Sequence, residues 1–344
     1  MMLEFGSDFH SLDNYYSKRA HLTNIYPNAI YLANGRLCMI ALIKQNGWQR
    51  LWLPEYFCRE VVESVACSTG IEMKFYKDYP SNDDRGMVTT LPYREGDVLL
   101  RVNFFGMRDF RSAADIPVSV IEDHTHDLLS HWALYSDADW CIASLRKTLP
   151  VPEGGMLWSP KGHALPEGIS CTEENAANAS KRWGAMDMKK DYLEGKLVSK
   201  EEFRAQYIDS DESLGKMAMS AIDERSMAFI QQLDINKWYN AKKYNLKRLT
   251  RKVNTTAPLI VTEDESCNAF SFVVLADSKE QRDQYKQELV KRMIYPAILW
   301  SLPDNVSKTA LAISERMLSI HCDGRYSIDD MNVLSEKINE VLML

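Results

Sequence analysis

The sequence lacks the cysteine arrangement of a disulfide scaffold or a metal-binding module. Seven cysteines stand at 38, 58, 67, 141, 171, 267 and 322, with no C-x-x-C pair and no metal-ligand spacing. Several lie in apolar runs, where a free thiol packs as a small hydrophobe. The expectation is a set of reduced, buried thiols in a cytoplasmic protein. No apolar run reaches the ~18–20 residues of a membrane span, so no membrane association is expected. The opening Met-Met-Leu-Glu-Phe-Gly-Ser-Asp is acidic and has no signal-peptide apolar core. Positive charge is not in excess either. Lys and Arg number 41 against 48 Asp and Glu, a net charge of -7, which gives no electrostatic ground for nucleic acid as a partner. The basic residues are scattered, apart from Lys242–Lys252, which reads as one face of a helix. Internal repeats and low-complexity tracts are absent.

What is present is an ordinary globular composition, 45% hydrophobic and 26% charged over 344 residues, enough for a large core and two domains. Residues 1–28 read as a polar and aromatic lead-in arm. Ile30–Leu42 changes period midway: a short strand ends at Asn34-Gly35 and a helix begins near Arg36. Gln49–Cys58 reads as a strand stopped by Pro54, with a helix from Arg59 to about Ser68. Met73–Tyr76 and Asp97–Gly106 read as further strands, then Pro117-Val-Ser-Val-Ile-Glu-Asp123 and Trp140–Ser144. The last leads through Ser144-Leu-Arg-Lys147 to a Gly154-Gly155 turn and another strand. This rhythm predicts an α/β protein with a large, mostly parallel, doubly wound sheet. Residues 172–249 read as charged helices with a break near Asp234. From Ala257 a small C-terminal α+β domain follows: strands over Asn268–Leu275 and Tyr295–Trp300, a helix over Lys279–Met293, a strand ending near His321 and a capped helix over Ser327–Leu342. The expected division is 1–250 for the large domain with its connecting helices and 251–344 for the small one.

The chemistry collects at strand ends, where open α/β sheets bind ligands. Asp123 ends one strand and Lys147 follows another, so both are placed in one site. A desolvated lysine can be tuned as a nucleophile or Schiff base. An aspartate opposite it can hold a pyridinium nitrogen protonated, and that pair is a recurring signature of pyridoxal phosphate. The helix start at Gly35 and Arg36 suits a phosphate, although an ordinary helix cap explains that segment alone equally well. Tyr56 or Phe57 offers a face to a ring.

Order and spacing resemble the DegT/DnrJ/EryC1/StrS aminotransferases, a family of fold-type I pyridoxal-phosphate enzymes. The likeness rests on Asn34-Gly-Arg-Leu, Pro54-Glu-Tyr-Phe, Glu122-Asp-His-Thr-His126 and Ser144-Leu-Arg-Lys147 with Gly154-Gly155, and spans most of the chain. It implies that Lys147 carries the cofactor and shuttles a proton, that Asp123 pairs with the ring nitrogen, and that His126 lies near the ring hydroxyl. Gly35, Arg36 and Ser144 would approach the phosphate, and Phe57 or Tyr56 would stack on the ring. It also implies a homodimer and two small-molecule substrates, an amino donor and a keto acceptor, the latter a nucleotide-linked keto-sugar. The chain departs from the family in the short Ser144–Lys147 spacing, in Arg36 where Thr is usual, and in having no clear Asn-Tyr-Arg segment, for which Gln206–Asp209 is the nearest candidate.

The substrate mouth is expected to be lined from the small domain by Trp300, Arg325 and Tyr326. The competing expectation pairs Arg325 with Asp323 or Asp329 at the surface. Two rival functions are weighed: a divalent-metal enzyme using Asp123, His124, His126 and Asp127, and a catalytically degenerate relative kept for binding or regulation. The first places no clear third ligand and leaves Lys147 without a job; the intact Asp123–Lys147 pair argues against the second.

Overall fold

In a computed structural model the chain is described over residues 3–6, 8–13, 16, 20–254 and 270–343. The expectations for Ala257, Cys267 and the first residues of the Asn268–Leu275 strand lie outside these residues. After a two-residue strand, β1 (Phe5–Gly6), and a short turn, α1 (Leu22–Ile25), the chain alternates strand and helix: β2 (Ile30–Leu32), α2 (Gly35–Asn46), β3 (Arg50–Pro54), α3 (Arg59–Thr69), β4 (Glu72–Tyr76), α4 (Arg85–Val88), β5 (Asp97–Val102) and β6 (Ser119–Asp123). Next come α5 (His131–Tyr135), β7 (Trp140–Ser144), a 3-10 turn over Leu145–Lys147 and β8 (Gly155–Trp158). Seven strands form one sheet in the order β2-β8-β7-β6-β5-β3-β4. The run from β7 to β4 is parallel; β8 lies antiparallel to both β7 and β2.

Strands that are covered on both faces read as continuous apolar runs, and all six residues of β5 are buried. Successive side chains still go to opposite faces. Leu51, Leu53, Val98, Leu100, Ile121 and Ile142 join one core with α2 and α3. Trp52, Leu99, Val120, Cys141 and Ala143 join a second core with Trp183, Tyr207 and Trp238. Helix α2 is buried without a break from Leu37 to Ile43, as a helix laid between two layers must be. The strand expected over Asp97–Gly106 is shorter than the sequence suggested: it stops at Val102, and Phe104–Gly106 form a 3-10 turn in which Phe105 takes a left-handed φ of 55°.

Four helices follow: α6 (Glu173–Leu193), α7 (Lys200–Lys216), α8 (Glu224–Ile230) and α9 (Ile235–Lys252). The break near Asp234 is real, and its cause is a cap: the Asp234 side chain accepts from the Lys237 amide and starts α9. The last part holds β9 (Phe272–Leu275), α10 (Lys279–Lys291), β10 (Ile294–Tyr295), α11 (Lys308–Arg316), β11 (Met317–Ile320) and α12 (Ile328–Leu342). β9 and β11 are antiparallel partners, and α12 opens with the expected capping box of Ser327 and Asp330. The strand expected over Tyr295–Trp300 is cut to two residues, because Pro296 has no amide to continue a ladder; beyond it only Ala297 bridges to Ser319. The lead-in arm is integrated into the fold, since β1 pairs in parallel with β10. No helix of the described residues is long and apolar enough to cross a membrane.

Candidate active site

A cavity of about 550 Å³ opens at the carboxyl ends of β6 and β7, between the start of α2, the end of α7 and the loop after β10. Gly35, Arg36, Phe57, Asp123, His126, Ser144, Lys147 and Trp300 all line it. The geometry that gathers them is local. Gly155 lies so close to Asn34 that an added Cβ would stand 2.2 Å from the Asn34 carbonyl, and Gly154 holds a φ of +116°. The glycine pair therefore lets β8 press against the first turn of α2. Gly35 in turn sits against Ser144, where a Cβ would meet the serine Cβ at 3.1 Å. Asn34 caps α2 by accepting from the Leu37 amide at 2.9 Å.

Asp123 and Lys147 are both without an ion-pair partner among the described residues, which is unusual for charges in a concave apolar setting. Asp123 is half-buried and accepts from the Thr125 amide at 2.8 Å. Burial raises its pKa, partly offset by hydrogen bonds from Thr125 and by the nearby His124. Lys147 is exposed to the cavity, with its pKa lowered to about 8, first by the adjacent Arg146 charge and second by desolvation. Arg146 reaches Asp211 on α7 at 3.2 Å, and Asp211 is shared with Arg182 at 2.5 Å. One carboxylate thus serves two guanidinium groups, and the neighbourhood of Lys147 stays positive. His126 is buried; its Nδ1 accepts from the Phe105 amide at 3.0 Å, and its ring lies near-parallel to Trp300 with centroids 5.8 Å apart. Burial lowers the His126 pKa to about 3, so the ring is neutral. The Ser144 hydroxyl makes no hydrogen bond among the described residues.

Three residues expected here lie elsewhere. Tyr56 is fully buried and donates to the Leu299 carbonyl, packing behind Trp300 at 6.0 Å; Phe57, one residue on, faces the cavity instead. Arg325 has a side chain 1% exposed and is clamped on Asp323 at 2.8 Å, with Nη1 donating to the Asp8 carbonyl at 3.1 Å. The competing expectation for Arg325, a pair with Asp323, describes it better, but the pair is buried and not at the surface. The Tyr326 hydroxyl accepts from the Gly6 amide at 2.8 Å. The mouth is lined from the C-terminal part by Phe270, Leu299 and Trp300. Arg36 lines the cavity but also donates to the Leu214 carbonyl of α7 at 2.6 Å. Thr125, Arg146 and Asp211 were missed. Arg146 carried a signal, a second cation beside Lys147; Asp211 carried none, because nothing local marks which turn of α7 reaches the sheet.

The metal set does not assemble. His124 packs against Trp132 and Trp158 on one side of the sheet, and His126 against Phe270 and Trp300 on the other. Among the described residues the group that gathers is Glu122, His124 and Cys141. It is sealed in the core around Glu122, whose Oε2 accepts from Ser136 at 2.6 Å and meets His124 Nε2 at 3.1 Å.

No protein-family model matches the sequence, and no curated protein sequence matches it. Solved structures do match in fold. PseC from Helicobacter pylori, an aminotransferase involved in the biosynthesis of pseudoaminic acid, superposes with a TM-score of 0.63 at 12% identity, over 99% of this chain and 100% of that one. A DegT DnrJ EryC1 StrS aminotransferase from Brucella abortus gives 0.56 at 13% identity, over 91% and 85%. NtdA from Bacillus subtilis with bound cofactor PMP gives 0.57 at 10%, over 92% and 73%. The fold is therefore that of the aminotransferases with a large, mostly parallel sheet. Among its structural neighbours are a protein from Streptococcus pneumoniae described as a sugar aminotransferase and, in the Brucella abortus protein, a member of the family that the motifs resemble.

Proposed function

We propose that this protein is a pyridoxal-phosphate-dependent aminotransferase that passes an amino group from an amino-acid donor to a ketone, a nucleotide-linked keto-sugar. The observation that carries the reading is the pair of unpartnered charges, Asp123 and Lys147, at adjacent strand ends in one cavity. The residues present fit the cofactor. A half-buried carboxylate without a cation suits a protonated ring nitrogen. The free Ser144 hydroxyl and the start of α2 at Gly35 and Arg36 suit a phosphate. Phe57 supplies an apolar face, and neutral His126 a polar edge. When bound, pyridoxal phosphate supplies the electron sink for the carbon that carries the amino group.

The chain's own residues do the rest. With its pKa near 8, the Lys147 amine is available at neutral pH both to attach the cofactor and, once released, to take and return a proton at Nζ. Burial raises the pKa of Asp123 and a cation beside it would lower it, so its ionisation and cofactor binding support each other. Trp300, Phe270 and Leu299 give the substrate side an apolar wall. Structural neighbours such as DesI, solved in the presence of its TDP-sugar product, support a sugar as acceptor. The same reading includes a cytoplasmic homodimer, with residues 1–250 as the cofactor-binding part and 251–344 as the smaller domain.

The test is borohydride reduction of the cofactor-reconstituted protein followed by peptide mapping. The label is expected on Lys147. A label on another lysine, or none, overturns the assignment. Turnover with nucleotide-linked keto-sugars tests the acceptor class.

A further inference from the structure

Where β6 turns away from β7, one side chain takes over the ladder. The last backbone bond between the two strand ends runs from the His124 amide to the Ile142 carbonyl at 2.9 Å. The next amide on that side, Ser144, would be left without an acceptor. It donates instead to the Thr125 Oγ1 at 2.9 Å. The Thr125 amide, at the same time, donates to Asp123 Oδ1 at 2.8 Å. A hydroxyl has one donor and two acceptor positions. Accepting from Ser144 leaves the Thr125 hydrogen available to Asp123, and hydrogen bonding by Thr125 offsets part of the rise that burial gives the Asp123 pKa. Thr125 itself lines the cavity. One residue thus touches both strand ends that carry the chemistry: Asp123 on one, and Ser144, three residues ahead of Lys147, on the other.

We infer that Thr125 is a positioning residue, whose hydroxyl fixes the separation of Asp123 from the Ser144–Lys147 turn and orients the Asp123 carboxyl. This rests on the aminotransferase reading for its purpose, but its contacts belong to the chain alone. Valine at 125 keeps the shape and the amide and removes only the hydroxyl; serine keeps the hydroxyl and removes a methyl group.

The experiment uses the full chain without cofactor, so that it stands apart from the fate of that reading. Two quantities are read in wild type, Thr125→Val and Thr125→Ser: hydrogen exchange at the Ser144 amide, and the pH titration of the Asp123 carboxyl carbon by NMR. In Thr125→Val the Ser144 amide should exchange about tenfold faster, the scale of one lost hydrogen bond, and the Asp123 midpoint should move to higher pH. Both should return close to wild type in Thr125→Ser. In the loaded enzyme the Val variant should lower kcat and leave the donor KM within about twofold. If either apo quantity is unmoved by valine, or serine fails to restore it, the inference is overturned. Should the valine variant not fold, Thr125→Ala removes the same hydroxyl and is read the same way. If Lys147 never takes the cofactor, the functional reading falls, while exchange and titration still decide the role of Thr125.

Discussion

Beside Lys147, the guanidinium of Arg146 is the largest cause of its lowered pKa, and it is held in turn by Asp211 at 3.2 Å. The sign of the consequence follows. Lys147 titrates near 8 in the folded chain against an ordinary 10.5. Between those values the unfolded chain binds the proton and the folded chain does not, so this group makes stability rise with pH across the window. Arg146→Gln removes the adjacent cation and leaves Asp211, still paired with Arg182, as a nearby charge that raises the Lys147 pKa. The midpoint should then move up from about 8, and the free amine at pH 7 should fall about tenfold for each unit moved. The rate at which cofactor-free protein takes up pyridoxal phosphate, followed from pH 6 to 10, checks this. An unchanged midpoint would show that burial, not Arg146, sets the amine. The limit of sequence reading is also set at this scale. Asp123 and Lys147 were legible because each ends an apolar run. Tyr56 and Phe57 were not separable, since both are aromatic at one turn and only the packing of Trp300 decides which is turned inward. Arg325 misled because its carbonyl partner at Asp8 lies 317 residues away in the chain.

At the scale of elements, the contact of β8 with the first turn of α2 builds the floor of the cavity. Gly155→Ala would drive a Cβ into the Asn34 backbone, which cannot swing aside as a side chain can. We expect a loss of about 1–3 kcal/mol in stability, as for overpacking of a filled site, with weaker cofactor binding, because Asn34 and Gly35 start α2. Gly86→Ala is the control: nothing lies within 4 Å of the added carbon, and it should stay within about 0.5 kcal/mol of wild type. Urea unfolding of both variants measures the difference. The elements themselves were mostly legible. β5 and β6 carry Val-Leu-Leu and Val-Ile at their centres, β7 the apolar Trp-Cys-Ile-Ala, all of them buried, and α9 announces its start with Asp234. The strand after Tyr295 was overextended, because its apolar residues serve the cavity wall and not a ladder.

For the whole molecule, the first residues tie distant parts together. Glu4 receives the buried Lys189 at 3.0 Å and Lys200 at 2.7 Å, while Asp8 pairs with Arg182 at 2.9 Å. Lys189 also donates to the Asp8 carbonyl at 2.7 Å. Removing one partner of a buried pair leaves the other charge uncompensated and costs about 3–5 kcal/mol. Glu4→Ala should therefore destabilise the protein by about that amount, measured by urea unfolding, although Glu4 lies outside the cavity. A loss below about 1 kcal/mol would show that Lys189 is satisfied without it.

The same arm has a consequence in time. The Gly6 amide finds its acceptor, the Tyr326 hydroxyl, 320 residues further along the chain. At a synthesis rate of about 5–20 residues per second, that partner emerges roughly 15–60 s after the arm does. Until β10 emerges, Phe5, which ends fully buried, has no strand to pair with. The opening residues of the chain are thus among the last to be folded, and a nascent chain stalled before residue 294 would carry β1 unpaired.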